Sequence, residues 1–208
     1  MSLNNFEAIA YINLDHREDR RDELLKSLES LEVNKNKIKR ISGVFNPFNG
    51  HLGCVCSHLK VVDWAIEQDL DNVLILEDDC YFLDDTNFIT QAVDYFFKIV
   101  PSWDIFMLGG YFEKIEKSKY PLINRVKKAY RAHSYAISKK YLPVIKKLYL
   151  ETANLLNGYN THFESRGHAL DRRWHTLQKK DHWYANNIHL TGQKDGYSDI
   201  EWHEKKKR

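Results

Sequence analysis

The chain has 208 residues, 43% of them hydrophobic and 13% aromatic, and a formal net charge of +2. That length and apolar content suit one globular domain with a sizeable core, and the near-neutral balance gives no field that would favour nucleic acid. No apolar stretch approaches the roughly 20 residues of a membrane span, and the first residues lack a basic start followed by an apolar core, so the expectation is a soluble, unsecreted, cytoplasmic protein. Cys54, Cys56 and Cys80 are too few and too closely placed for a disulfide framework and fit a reducing compartment. Cys54 and Cys56 lack a second Cys or His couple at finger spacing, so they read as small buried residues rather than a zinc site.

Residues 8–14 (Ala-Ile-Ala-Tyr-Ile-Asn-Leu) read as a first strand ending at Asp15. The charged segment 17–21 leads into Leu24, Leu25, Leu28 and Leu31 at helical spacing, with Asp15 or His16 expected as the cap. Arg17, Arg20 and Arg21 then lie near the end of strand one, where a guanidinium fork suits phosphate and a solvated first turn reads equally well. Residues 37–44 read as a second strand and 45–50 as a loop. A helix carrying Val61, Val62, Trp64, Ala65 and Ile66 follows Gly53-Cys-Val-Cys-Ser57-His58. Small residues at a helix start admit close approach by a backbone or an anion, and simple helix packing explains them too.

Val73, Leu74, Ile75 and Leu76 then break into Glu77, Asp78 and Asp79. Four branched apolar residues in a row predict a strand buried on both faces, as in the middle of a parallel sheet. Three acids at its carboxyl end stand where open α/β sheets bind ligands, and a hard divalent cation would offset their repulsion. A solvated turn gives the same pattern. Residues 88–100 read as a helix stopped by Pro101, 103–108 as another buried strand, and 129–137 as one more, with Ser138 capping a helix over 139–150. Residues 111–128, rich in Lys and Tyr, carry no assigned element. Residues 155–167 read as loop, Asp171 opens a short segment with Trp174 and Leu177, and 183–190 read as a final edge strand. Residues 205–208 are a basic tail on a single domain over 1–204. His168, His175, His182 and His189 fall seven apart across different elements, a coincidence rather than a metal stripe.

Five segments in order resemble glycosyltransferase family 25, the group of lipooligosaccharide and procollagen galactosyltransferases. They are Tyr11-Ile-Asn-Leu-Asp15 with Arg17 and Arg20-Arg21; Gly53-Cys-x-Cys-Ser-His58; Leu74-x-Leu-Glu-Asp-Asp79; His133-Ser-Tyr-Ala-Ile-Ser138; and Gln193-x-x-Gly-Tyr-Ser-Asp-Ile200. The resemblance implies an α/β GT-A fold, a Rossmann-like mixed sheet flanked by helices, binding a UDP-sugar with Mn²⁺ or Mg²⁺. It implies that Asp79 ligates the metal and donor diphosphate, with His203 as an additional ligand. Glu77 or Asp78 would face the ribose or sugar, and Asn13, Asp15, Arg17, Arg20, Ser57, Gln193 and Ser198 would line the donor site. The implied reaction is inverting transfer of a hexose, galactose or glucose, to a hydroxyl of a glycan or hydroxylysine-type acceptor. Asp171 is the expected base, a helix N-cap reading equally well for it, with Trp174 as a sugar platform and Glu164, Asp195 and Asp199 as rivals. A non-catalytic carbohydrate- or partner-binding module and a metal-dependent nucleotidyltransferase are the alternative functions.

Overall fold

The computed structural model describes residues 3–83, 85–198 and 203–205, with the side chains of 196–198 and 203–205 outside that description. An eight-stranded mixed sheet runs through the molecule. Its strands are β1 (Ala8–Asn13), β2 (Ile38–Ser42), β3 (Asn72–Glu77), β5 (Ile105–Met107), β6 (Tyr111–Lys117), β7 (Ile123–Tyr130), β8 (Ser134–Ser138) and β9 (Trp183–Asn186). Their spatial order is β2-β1-β3-β8-β5-β9-β7-β6. Short strands β4 (Cys80–Phe82) and β10 (Thr191–Gln193) pair separately, as do β11 (Gly196–Ser198) and β12 (His203–Lys205).

The apolar run in β3 explains the two-layer covering of this sheet. Val73 and Ile75 join a core built with Val61, Val62 and Ala65 of α2 (Gly50–Glu67) and Ile145 and Tyr149 of α4 (Leu142–Leu156). Leu74 and Leu76, pointing the other way by the period of two, join Leu24 and Leu28 of α1 (Glu18–Ser30) and Val93 and Phe96 of α3 (Thr86–Ile99). All four β3 side chains are fully buried, as expected of a central strand. Its neighbours differ from the expectation of a parallel setting: β1 lies parallel to it and β8 antiparallel.

Other readings are corrected by the chain's turns. Residues 129–137 form two strands, because Arg131 adopts φ 70° and breaks the extended run between β7 and β8. Strand β9 lies inside the sheet between β5 and β7 and stops at Asn186, so it is not an edge. The edge on that side is β6, in a hairpin with β7 that accounts for the unassigned Lys- and Tyr-rich stretch; its exposed Lys114, Glu116 and Lys117 blunt it against pairing. Neither Asp15 nor His16 caps α1, whose N-cap is Arg17 without a side-chain bond. Ser138 precedes a single 3-10 turn and makes no capping bond, and α4 starts at Leu142 with Pro143 in its first turn.

Helix α2 starts three residues before Gly53, because Asn49 caps it by accepting from Leu52 N at 3.1 Å. The same buried amide donates to Leu156 O at 3.0 Å and Tyr159 O at 3.2 Å, and its oxygen accepts from Ser165 Oγ. Asn49 thus ties together α2, the end of α4 and α5 (His162–Ser165). Gly53 is required by a close approach: a Cβ there would lie 2.4 Å from Val44 O. Gly53→Ala is expected to cost roughly 1–3 kcal/mol despite the better helix propensity of Ala. A denaturant midpoint equal to wild type would show that the 44–46 loop yields freely.

Candidate active site

The carboxyl ends of β1 and β3 meet where the acidic turn follows β3. Asn13, the last residue of β1, is buried and donates from Nδ2 to Arg17 O and to Asp78 Oδ2, both at 2.8 Å. Arg20 reaches Asp78 Oδ1 at 3.3 Å from α1. Asp78 is therefore turned toward α1, and its burial raises its pKa to about 6 against the lowering pull of Asn13 and Arg20. Arg40 donates from Nε to Asn13 Oδ1 at 3.1 Å and pairs with Asp15, whose other partner is Ser42. The Arg40 hydrogen bond lowers the Asp15 pKa. Arg17 forks onto Asp19 with bonds of 3.0 and 2.8 Å, which holds that carboxyl at a pKa of about 2.

Glu77 and Asp79 turn away from Asp78 and converge on one donor. Gln193 Nε2 lies 3.2 Å from Glu77 Oε2 and 3.2 and 3.1 Å from the two Asp79 oxygens. The short β4–β10 pair sets this contact by placing Gln193 opposite Cys80, and Lys194 N donates to Asp79 O at 2.8 Å. Gly192 lets the Tyr81 ring lie against the β10 backbone, where a Cβ would come within 2.6 Å of it. On its other side, Glu77 Oε1 is 3.2 Å from His58 Nε2.

A cleft of about 570 Å³ opens beside these acids. Glu77, Gln193, Arg131, Arg166, Asp171 and Arg172 are among the residues that line it. Asp171 belongs to α6 (Leu170–Arg173), which is followed by α7 (His175–Lys180). The α6 N-cap is Ala169 rather than Asp171, and Asp171 Oδ2 accepts from Arg131 N at 2.9 Å. Trp174 is a correction: it is fully buried, packs on Tyr135 and Trp183, and donates to Tyr149, so no face remains for a sugar ring. The apolar spacing of the segment marked a core residue, not a platform.

Ser57 is buried, donating to Gly53 O and accepting from Val44 N, each at 2.7 Å; its hydroxyl fixes the 44–46 loop. Glu164 is exposed, and its backbone N–H is capped by Thr161. Asp195 is exposed beside β10. Asp199 and the side chains of Ser198 and His203 lie outside the described residues, while the backbones of Ser198 and His203 pair across β11 and β12. The four histidines seven apart do not converge: His168 stacks on Tyr159, His182 on Tyr184 and His189 on Phe112, while His175 meets Tyr130 edge to face.

Sequence reading missed Arg40, Cys54, His58 and Arg131 as parts of this region. A signal for two of them was present, since Cys54 and His58 are four apart and so share one face of α2. Their ligand-type atoms and a Glu77 oxygen lie within 4.8 Å of one another, and all three cysteines are free thiols. Arg40 and Arg131 reach the site only through strand pairing and a turn, which local spacing does not encode.

The comparisons agree with this architecture. A solved glycosyltransferase involved in glycosylation of the major capsid of PBCV-1 aligns with a TM-score of 0.51 at 9% identity, over 86% of this chain and 92% of that one. A mannose-1-phosphate geranyltransferase structure from Thermus thermophilus aligns with a TM-score of 0.50 at 10% identity, over 86% and 72%. With the mixed sheet above, these likenesses establish the GT-A type of fold. Among curated proteins, procollagen galactosyltransferase 2 of Homo sapiens is 30% identical over 101 residues, 37% of this chain and 16% of that protein. Procollagen galactosyltransferase 1 of Danio rerio is 25% identical over 208 residues, 77% of this chain and 34% of that protein. The chain thus spans about a third or less of the length of these relatives. The model for glycosyltransferase family 25 (LPS biosynthesis protein) matches residues 6–159, which hold β1, α2 and the Glu77–Asp79 turn. The chain belongs to glycosyltransferase family 25.

Proposed function

We propose that the protein transfers a hexose, galactose or glucose, from a UDP-sugar to a hydroxyl of a glycan or hydroxylysine-type acceptor, with inversion and with Mn²⁺ or Mg²⁺. The observation that carries this reading is the convergence of Glu77 and Asp79 around one amide, at the carboxyl end of a central strand, with Glu77 lining a cleft that Asp171 also lines. The names of the relatives, procollagen galactosyltransferases, support the choice of sugar. The three free thiols fit a cytoplasmic setting. No helix among the described residues is long and apolar enough to cross a membrane.

The residues suit a hard divalent ion. Asp79 is buried, and its two oxygens meet a Glu77 oxygen at the Gln193 NH₂ group, a set of hard oxygen donors of the kind such an ion takes. Asp79 would hold the ion, with His203 as a further ligand; when bound, it would offset charge developing on the leaving diphosphate. Glu77 accepts hydrogen bonds from donor hydroxyls in this reading. Asp78, locked between Asn13 and Arg20, fixes the turn that presents both other acids. Asn13, Asp15 and Arg17 mark the nucleotide side at the end of β1, and Asp171 takes the acceptor proton on the opposite side.

The test is a UDP-sugar panel with Mn²⁺ and with EDTA, scored for free UDP and glycosylated product. Release of pyrophosphate instead would support nucleotidyl transfer, and a folded protein that binds no donor would leave only a binding module. Arg17→Ala is expected to raise the donor KM with kcat nearly unchanged, since it removes binding common to ground and transition states. A loss confined to kcat would contradict that role.

A further inference from the structure

A chain of buried hydrogen bonds runs from the core to Glu77. Trp174 Nε1 is 3.3 Å from the Tyr149 hydroxyl, which is 2.7 Å from the Tyr135 hydroxyl, which is 2.9 Å from His58 Nδ1; His58 Nε2 is 3.2 Å from Glu77 Oε1. Trp174, Tyr149, Tyr135 and His58 are all at most 1% exposed.

The direction of every bond follows from the first. An indole N–H can only donate, so the Tyr149 oxygen accepts from Trp174. The hydrogen of Tyr149 then has one acceptor among the described residues, the Tyr135 oxygen. The hydrogen of Tyr135 in turn has, among the described residues, His58 Nδ1 as its acceptor. That ring nitrogen must be bare, so the proton of the imidazole sits on Nε2 and is donated to Glu77. Any other arrangement leaves a buried hydroxyl hydrogen without an acceptor, which costs more than a formed bond gains.

We propose that His58 is a positioning residue, held neutral in the Nε2–H form by the Trp174–Tyr149–Tyr135 chain, and that it aims Glu77 into the cleft without cancelling its charge. Glu77 is then gripped on both oxygens by neutral donors, Nε2–H of His58 and the amide of Gln193. Neither donor carries a charge, so neither cancels that of the carboxylate. An imidazolium there would instead form an ion pair with Glu77 and weaken it as an acceptor. The same bookkeeping makes Cys54, His58 and Glu77 a poor zinc site even though their ligand atoms lie within 4.8 Å. Zinc would take the Nε2 lone pair, reverse the chain and leave the Tyr149 hydrogen stranded.

The proposal rests on reading Glu77 as facing the donor, but its first test does not use the reaction. Imidazole ¹⁵N shifts in the histidine-labelled full chain at neutral pH are expected to show His58 as the neutral Nε2–H tautomer. Tyr135→Phe, which keeps the ring but removes the hydroxyl, is expected to abolish that fixed tautomer. In the same variant the KM for the UDP-sugar should rise about tenfold while kcat holds, the size expected when one hydrogen bond shared by ground and transition states is loosened. Tyr149→Phe serves as the second variant, breaking the chain one link further from the site, and should shift the ¹⁵N signals in the same sense. An Nδ1–H or doubly protonated His58 in the wild type overturns the proposal, as does an unchanged tautomer in Tyr135→Phe or an unchanged donor KM. A wild type that transfers no sugar at all counts against the function proposed above and leaves the ¹⁵N spectra to decide this inference.

Discussion

Asp79→Asn is expected to reduce kcat/KM by a factor on the order of 10² to 10³, the usual scale for losing one electrostatic contact to a developing charge. The change keeps the shape of the side chain and removes one negative charge from the pair that meets at Gln193. The Asp79 charge helps to raise the pKa of the buried Asp78 beside it, so removing it relieves a repulsion. The variant should therefore melt at the same temperature as wild type, or higher, when EDTA is present. Calorimetry with UDP should show that Mn²⁺ no longer strengthens nucleotide binding. Full Mn²⁺-dependent activity in Asp79→Asn would remove this residue from the list of required ligands. A large fall in melting temperature would mean that Asp79 holds the β4–β10 clamp, through its contacts with Gln193 and Lys194, more than it serves a ligand.

What local sequence could reveal here depended on whether a residue's role was set along the chain or across the sheet. The run Val73–Leu76 reads as a two-faced strand because both layers of helices demand apolar side chains from it. The helices α1 and α3 were legible for the same reason, as apolar spacing toward one face. The place of β9 inside the sheet was not, since a strand of four residues carries no mark of how many neighbours it will have. Likewise Gly53-Cys-x-Cys-Ser-His58 showed small residues at a helix start but not the earlier cap at Asn49, which besides Leu52 N is held by Leu156 and Ser165, more than 100 residues away. Trp174 looked like a platform because it neighbours Asp171 in sequence. It is core because it joins α6 to α7 at a point where its ring packs on Tyr135 and Trp183 and its N–H reaches Tyr149. The acids were recognisable as a group, while the division of labour among them came only from Asn13, Arg20 and Gln193, which arrive from three other elements.

Asp171→Asn is expected to lower transfer by a factor on the order of 100 or more, the contribution of a positioned general base. The base for an inverting reaction must stand on the acceptor side of the cleft, away from Glu77, and among the described residues three carboxylates line that cleft: Glu77, Glu113 and Asp171. Glu113 is the poorer proton acceptor, since its hydrogen bond from Lys128 lowers its pKa and occupies it. Asp171 has one oxygen held by Arg131 N, and its other oxygen has no hydrogen-bond partner among the described residues. One fixed oxygen and one available oxygen are what a base needs, because the first sets the direction in which the second accepts. Asparagine preserves the fixed contact, as its carbonyl can still accept from Arg131 N, so the turn at φ 70° between β7 and β8 should survive. It cannot take a proton. Donor binding and melting temperature should consequently match wild type while turnover with acceptor collapses; slow hydrolysis of the UDP-sugar by water, measured without acceptor, should fall less. Near wild-type kcat in Asp171→Asn would leave Asp171 as the brace of the Arg131 turn and pass the base role to Asp195, exposed just beyond Gln193. Asp171→Ala separates the two roles further, since it removes the brace as well and should lower stability by about 1 kcal/mol, the net worth of one hydrogen bond to backbone.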